Sequence, residues 1–364
     1  MSGARLLARP ERIAWARLAR TPRIGAVTFH RLLALYGGAA AALEALVRIA
    51  PNLRPPAPDA IAAELDALET LGARLLAACE PDYPPLLKTL DAPPPVIAAR
   101  GDASLAARPT VAIVGAREAS AAGLMLAERF AADLSAMGYV VVSGLARGVD
   151  AAAHRASLDG GAIAVLAGGL DKPYPPQNLA LHDAIAARGL VLAEAPLGAA
   201  ARARDFPRRN HIVSGLSQGV VVIEAALRSG SLITARAAAE QGRDVMAAPG
   251  SPLDPRARGA NALIKNGAAL VESAEDIAAV LRAAPTPLRR TAPSLLETAQ
   301  APAPPGLTTK LAGLLSATPV HLNDLARLAA APASAVAAAL TELELEGRAA
   351  SLPGGYAAAP GAAF

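Results

Sequence analysis

Hydrophobic residues in the first part of the chain recur with the period of amphipathic helices. The segments with this spacing are residues 13–18, 27–35 and 39–47. The turn TPRIG, residues 21–25, separates the first two segments, and Gly37 and Gly38 mark a stop after the second. This pattern predicts a small N-terminal helical domain over residues 1–80. Both a helix-hairpin-helix (SAM-like) domain and a plain helical bundle fit the spacing.

The middle of the chain alternates short hydrophobic runs with helical segments. Runs without polar alternation are typical of strands that are buried on both faces. The alternation predicts an α/β domain over residues 81–283, with a Rossmann-like, doubly wound, mostly parallel sheet. In such sheets ligands bind beyond the carboxyl ends of the strands. The predicted strands are residues 111–114, 139–142, 162–166, 190–193, 220–223 and 244–247.

The last part of the chain changes pattern again. Residues 284–304 are rich in Pro, Ala and Thr, which predicts a linker. Three short helical segments follow, and then two extended pieces around Gly354 and Gly355. This order is typical of a winged helix, which we predict over residues 305–364.

The composition limits the class of protein. Of the 364 residues, 53% are hydrophobic, which is enough for a large core. The single cysteine, Cys79, excludes an internal disulfide and lacks the paired spacing of a zinc site, as expected in a reducing cytoplasm. No apolar run is long enough to span a bilayer. We therefore expect a cytoplasmic protein with no membrane segment, no metal and no cofactor.

The net charge of +4 is too small and too evenly spread to bind nucleic acid by bulk attraction. Residues 108–283 carry 18 basic and 16 acidic side chains, an excess of only two. If nucleic acid is the partner, the positive charge must be concentrated in one site.

Glycine, hydroxyl and basic side chains follow the predicted strands where each strand ends. Glycine lets backbone N–H groups approach an anion, a helix N-terminus adds partial positive charge, and arginine binds phosphate through two nitrogens. Because parallel strands end at one edge of the sheet, we expect these residues to converge on a rim that binds a polyanion. The candidate binding residues are Gly115, Arg117, Ser143, Gly144, Arg147, Lys172, Phe206, Arg208, Arg209, Asn210, Ser229, Ser231 and Lys265.

Each of these clusters also has a structural explanation when it is taken singly. Arg208 and Arg209 fit a solvated pair, and the serines at 229 and 231 fit a helix cap. His154 fits a core histidine better than a general base. The convergence of many such clusters is what favours the binding interpretation.

Four long strings in the middle region resemble one protein family. They read SGLARGVDAAAH from Ser143, FPRRNHIVSGLS from Phe206, SGSLITARAAAEQGRDVMAAPG from Ser229 and GANALIKNGA from Gly259. Together they are similar to the DNA-processing protein A family (DprA, also called Smf) over roughly residues 80–283. The helical region and the winged helix on either side resemble those of the longer members.

The resemblance assigns DNA-contacting roles to motif positions. Arg117 matches the VGxR turn, and Ser143, Gly144 and Arg147 match the SGxARG turn. In the same way, Arg209 and Asn210 match FPxRN, Ser229 and Ser231 match the SGS turn, Lys172 precedes the YP pair and Lys265 lies in the last loop. The chain departs from the family at His211, where arginine is frequent.

The resemblance implies a function without catalysis. Members of the family bind and protect incoming single-stranded DNA, form dimers and load the RecA recombinase during natural transformation, which is a competence and recombination pathway. We therefore expect single-stranded DNA, RecA and a second copy of the chain as partners. Phe206 and Tyr174 are the only aromatic residues near the rim, so base stacking should be sparse and salt dependence strong.

Two enzyme classes are the alternatives. Nucleoside monophosphate phosphoribohydrolases share a Rossmann-like fold, but they use a PGGxGT turn followed by glutamate, and the loop at residues 224–234 lacks it. A dinucleotide-dependent oxidoreductase needs GxGxxG after the first strand, where this chain has GAREASAAG. A purely structural protein leaves the basic rim unexplained.

The expected recognition segment of the winged helix is acidic. It carries Glu342, Glu344 and Glu346, with Arg348 as its basic residue. Carboxylates repel the phosphates that line a DNA groove. We therefore predict that this domain contacts protein rather than duplex DNA.

Overall fold

The computed structural model describes residues 5–283, 306–352 and 354–359. Its helices are α1 Arg9–Ala19, α2 Ala26–Tyr36, α3 Ala39–Ile49, α4 Pro58–Thr70, α5 Pro85–Lys88, α6 Ala121–Ala136, α7 Val149–Ser157, α8 Leu179–Arg188, α9 Asp205–Gly215, α10 Ser231–Glu240, α11 Arg258–Lys265, α12 Ala274–Ala283, α13 Leu307–Leu314, α14 Leu322–Ala329 and α15 Ala333–Glu346. Its strands are β1 Ala73–Ala77, β2 Val96–Gly101, β3 Thr110–Gly115, β4 Val140–Ser143, β5 Ala162–Leu166, β6 Leu190–Ala193, β7 Gly219–Ile223, β8 Asp244–Ala247, β9 Ala269–Leu270, β10 Ala349–Leu352 and β11 Gly355–Ala358.

The described chain divides into two compact units. The first contains residues 5–6 and 62–283, and the second contains residues 7–61 and the described part of 306–359. The predicted linker at residues 284–304 lies outside the described residues.

A nine-stranded sheet organises the first unit. Its strand order is β1-β2-β6-β5-β4-β3-β7-β8-β9, and the strands from β3 to β9 in the chain pair in parallel. Strand β2 runs antiparallel to both β1 and β6. The predicted fold class is therefore confirmed, as are the six predicted strands, each to within one residue at either end.

Both faces of this sheet are covered by helices. Along β3, Val111 and Ile113 face a core that contains Phe130 of α6. The alternate residues, including Val114, face a second core that contains Ile212 of α9. Because neither face meets water, the strand needs no polar alternation, which explains its continuous hydrophobic run.

The sheet begins earlier in the chain than the domain boundary expected at residue 80. Strand β1 pairs with β2 from Ala73 opposite Arg100 to Ala77 opposite Val96. The pairing partners of β1 lie 19 to 27 residues further along the chain. Local spacing therefore did not separate this strand from the helical region before it.

The second unit contains the N-terminal helices and the winged helix. Helix α2 ends where Gly37 adopts a φ of +75° and donates its N–H to the carbonyl of Leu33, as the stop signal predicts. Helices α13, α14 and α15 precede an antiparallel β10–β11 hairpin. Leu311, Leu325 and Leu340, one from each helix, meet in its core. The predicted N-terminal helical domain and C-terminal winged helix are thus both present.

None of the described helices is by itself long and apolar enough to cross a membrane. Two pairs of consecutive helices, α2 with α3 and α14 with α15, have the length and composition of a membrane span when each pair is taken together. The helices of these pairs are bent relative to each other by 100° and 105°, respectively.

Candidate nucleic-acid interface

A cleft of about 1130 Å³ opens beyond the carboxyl ends of β3, β4 and β7. Strands β3 and β7 are neighbours in the sheet, although three strands separate them in the chain. The strand order reverses at this point, which leaves the crevice where doubly wound proteins bind ligands. Nine predicted residues line the cleft: Gly115, Arg117, Gly144, Arg147, Phe206, Arg209, Asn210, Ser229 and Ser231.

Glycine at position 115 lets the ends of β3 and β7 approach each other closely. A Cβ at Gly115 would lie 1.8 Å from the carbonyl oxygen of Ile223. The next turn is closed by Gly148, which has a φ of +74° and precedes α7. The N–H of Val149 then donates to the carbonyl of Ala116 at 3.2 Å. These contacts hold the two turns that carry Arg117 and Arg147 side by side.

Arg117 and Arg147 are exposed cations of the cleft. Both side chains line it and are open to solvent. No acidic side chain among the described residues pairs with either guanidinium group. The Arg117 guanidinium carbon lies 5.1 Å from the centre of the Phe206 ring, a cation–π distance that orients the side chain without neutralising it.

An aromatic pair lies beside these arginines. The rings of Tyr174 and Phe206 meet edge to face, with centroids 6.1 Å apart. Tyr174 is 53% exposed and lines an adjoining recess together with Arg117 and Arg147. The two aromatic residues expected near the rim are thus in contact, and Tyr174 offers an open face for stacking.

Arg209 also lines the cleft, but its side chain is buried. Its Nη1 donates to the carbonyl oxygens of Gly144 and Val165, the latter at 3.0 Å. The carboxylate of Asp150 accepts N–H bonds from Gly144 at 3.1 Å and Ala146 at 3.3 Å. Burial lowers the pKa of Arg209 and raises the pKa of Asp150, while the opposite charge of each partner works against these shifts. Arg209 therefore fixes the turn after β4.

The other four predicted residues do not line the cleft. Ser143 is fully buried and donates its hydroxyl to the carbonyl of Ile113 at 2.6 Å. Arg208 pairs with Glu194 at 2.5 Å. Lys172 and Lys265 are exposed elsewhere, in the loop after β5 and at the end of α11. The clusters after β3, β4 and β7 and the string on α9 therefore place predicted residues in the cleft lining, whereas these four residues lie outside it.

Two arginines of the cleft were not predicted from the sequence. Arg228 and Arg256 both line it. Arg228 directly precedes the SGS string, so its position was a usable signal. Arg256 lies in an irregular loop and pairs with Asp254 at 2.8 Å, which reduces its charge toward an anion.

His154 lies buried beneath the turn after β4. Burial, with a smaller effect from the charge of Arg209, lowers its pKa to about 3, and a backbone interaction with Ser143 opposes the shift. In the unfolded chain the imidazole of His154 takes up a proton near pH 6.5, whereas in the folded chain it stays neutral almost to pH 3. Its contribution to stability is therefore complete above pH 6.5 and is lost as the pH falls.

We expect the free energy of unfolding to drop by about 2 kcal/mol from His154 alone between pH 6.5 and pH 4.5. Urea unfolding across this range measures the slope. The raised pKa of Asp150 acts in the opposite direction, toward greater stability at low pH. In His154→Gln the free energy of unfolding should depend less steeply on pH. An unchanged pH dependence would contradict a neutral buried imidazole.

Comparison with known proteins identifies the family. The family model of DNA recombination-mediator protein A matches residues 74–282, more than half of the chain. This chain belongs to that family. The DprA-like N-terminal HHH domain model matches residues 9–67, and the DprA winged helix domain model matches residues 296–355.

Relatives of this DprA-family chain extend across bacteria. It is 42% identical to DNA processing protein DprA of Bacillus subtilis (strain 168) over 216 residues, which cover 58% of this chain and 73% of that protein. It is 38% identical to Protein Smf of Escherichia coli (strain K12) over 297 residues, which cover 79% of this chain and 78% of that protein.

Two solved structures share the fold. DNA processing protein A of Streptococcus pneumoniae matches with a TM-score of 0.64 and 31% identity, over 76% of this chain and 98% of that one. The Helicobacter pylori protein, described for its single-stranded DNA binding mode, matches with a TM-score of 0.53 and 29% identity. That match covers 58% of this chain and 95% of that one.

Proposed function

We propose that this protein binds single-stranded DNA in the cleft, protects the strand and loads RecA onto it during natural transformation. The observation that carries the proposal is the pair Arg117 and Arg147, exposed and without acidic partners among the described residues, beside an open aromatic face. Membership of the recombination-mediator family supports it, as does the DNA binding of the Helicobacter pylori relative.

The aromatic face favours an unpaired strand. Bases of a single strand are free to stack on a side chain such as Tyr174, while bases of a duplex are already stacked on each other. Backbone phosphates of the same strand then bind Arg117 and Arg147 on the neighbouring turns. One aromatic pair provides little base discrimination, so phosphate contacts supply most of the affinity.

The proposed role involves no catalysis. In the nucleoside monophosphate hydrolase alternative, a free glutamate after β7 is needed. Glu224 occupies that region, but its carboxylate accepts hydrogen bonds from the N–H of Ser120 at 2.8 Å and from the Ser120 hydroxyl. Among the described residues, the carboxylates that line the cleft are Glu118 and Asp150, and Asp150 is occupied by backbone N–H groups. This arrangement favours binding over hydrolysis.

The partners complete the proposal. Family membership supports a homodimer that acts in the cytoplasm and delivers the strand to RecA. These parts depend on surfaces other than the cleft, so each can fail without affecting the proposed DNA site.

A direct comparison of single-stranded and duplex oligonucleotides tests the central claim. We expect at least about tenfold tighter binding of the single strand, because each stacked base contributes about 1–3 kcal/mol that a duplex does not supply. Fluorescence anisotropy at constant salt measures both affinities, with Tyr174→Ala as the variant that should narrow the gap. Equal affinities would contradict the single-strand proposal.

The same oligonucleotide tests RecA loading. Filament formation by RecA is measured with and without the protein, and faster formation is expected in its presence. An unchanged rate with intact DNA binding would remove RecA loading from the proposal and leave the DNA site standing.

A further inference from the structure

Helix α15 occupies the position at which winged-helix proteins present a recognition helix to a DNA groove. Such a helix needs an open face. From Ala335 to Leu345, however, every residue is buried or only partly exposed. The inner side of the helix packs in its own domain, where Leu340 and Leu343 contact the core of the winged helix. The other side must therefore be covered by something else.

The N-terminal helices supply that cover within the second unit. Leu345 of α15 is 3% exposed and belongs to the same hydrophobic cluster as Leu18, Phe29 and Leu46 of α1, α2 and α3. A residue from the winged helix thus completes the core of the N-terminal domain. The apolar end of α15 consequently has a docking site in its own chain.

A charged contact reinforces this packing. The Arg31 guanidinium group on α2 pairs with the carboxylate of Glu344 at 2.9 Å, and both side chains are partly buried. The same guanidinium carbon lies 5.7 Å from the centre of the Tyr356 ring on β11. Arg31 therefore links the recognition helix and the wing hairpin to α2. The acidic end of α15, which would repel a phosphate groove, is matched by a basic residue of the helical domain.

We propose that the winged helix is a protein-docking module whose partner is the N-terminal helical domain of the same chain, and that α15 serves this contact rather than reading a DNA groove. The two domains, although they are separated by more than 200 residues of sequence, then behave as one module. The proposal is independent of the single-stranded DNA cleft, which lies in the first unit.

Cutting the chain between the two domains tests the docking. A protease site is placed within residues 284–304 of the full-length protein, and the cut protein is analysed by size-exclusion chromatography. We expect the fragment carrying residues 305–364 to elute with the rest of the chain. Arg31→Glu or Glu344→Arg should each release more than half of the fragment, and the double exchange should restore its retention, because the charge pair is re-formed in reverse.

The matched control is Arg327→Glu, a charge reversal on α14 whose side chain is 78% exposed and pairs with Asp324 of the same helix. It should leave retention unchanged. The proposal would be overturned if the cut protein without any charge exchange released the fragment. It would also be overturned if the double exchange failed to restore retention. The double exchange keeps the test valid even if a single variant unfolds the small domain.

Two further readouts separate this partner from other partners. In the uncut chain, hydrogen exchange of the α15 amides should be independent of protein concentration, and protection that falls on dilution would assign the contact to a second copy instead. Duplex DNA binding by Arg31→Glu should not exceed that of the wild type. A gain would show that docking masks a DNA-reading face and would overturn the protein-docking role.

Discussion

Replacing Arg117 and Arg147 together by alanine is expected to weaken binding of single-stranded DNA by about 100-fold. Each arginine is exposed in the cleft without an acidic partner among the described residues, and a hydrogen bond to a charged group contributes about 1.5 kcal/mol or more. Each lost phosphate contact also reduces the slope of log affinity against log salt by about 0.7, so the pair should reduce it by about 1.4. Anisotropy titrations at several salt concentrations give both values.

A matched variant separates a local site from the effect of net charge. Arg129 and Arg188 are exposed arginines that lie outside the cleft lining, and removing both changes the net charge by the same amount. That double variant should bind with nearly wild-type affinity and slope. A wild-type slope in the Arg117 and Arg147 variant would place the DNA elsewhere on the molecule.

The second large effect is on stability. Arg209→Ala should lower the free energy of unfolding by about 3–5 kcal/mol, because it removes the hydrogen bonds to the carbonyl oxygens of Gly144 and Val165 and leaves the buried carboxylate of Asp150 without the nearby opposite charge. Urea unfolding near pH 7 measures the loss. Adding Asp150→Asn should recover part of it, since the uncompensated charge is then removed, and the double-mutant cycle gives the coupling of the pair. A loss below about 1 kcal/mol would contradict a structural role for Arg209.

DNA binding distinguishes this arginine from those on the exposed turns. Because the Arg209 guanidinium group bonds to the carbonyl oxygens of Gly144 and Val165, its loss should lower affinity by disordering the turn after β4. The salt slope of the folded variant should remain close to that of the wild type. A slope reduced by about 0.7 would instead make Arg209 a direct phosphate contact.

The sequence around the FPRRN string contained a signal for which of its two arginines is buried. The buried residues on α9 include Arg209, Ile212 and Val213, which are spaced by three and four residues and share one helix face. Arg208 lies on another face and pairs with Glu194. The helical period of FPRRNHIV thus distinguishes the two arginines, although their shared chemistry made them look equivalent.

Other features had no local signal. Strand β9 has only two residues, and β2 is antiparallel to its neighbours β1 and β6. Whether such segments join a sheet depends on the edges that the rest of the fold leaves free. Likewise, nothing in the sequence near Glu344 indicates that Arg31, more than 300 residues away, is its partner.

The sequence by itself determined the class of fold, the six central strands, the winged-helix order and the glycine turns that carry Arg117 and Arg147. These features depend on local periodicity and on backbone conformations that few residues adopt, so they are readable from neighbouring residues. Only the tertiary structure decided which basic residues share the cleft, which arginine is buried and which surface covers α15. Burial and charge pairing depend on distances between segments far apart in the chain, and these distances exist only once the sheet and the helices have packed.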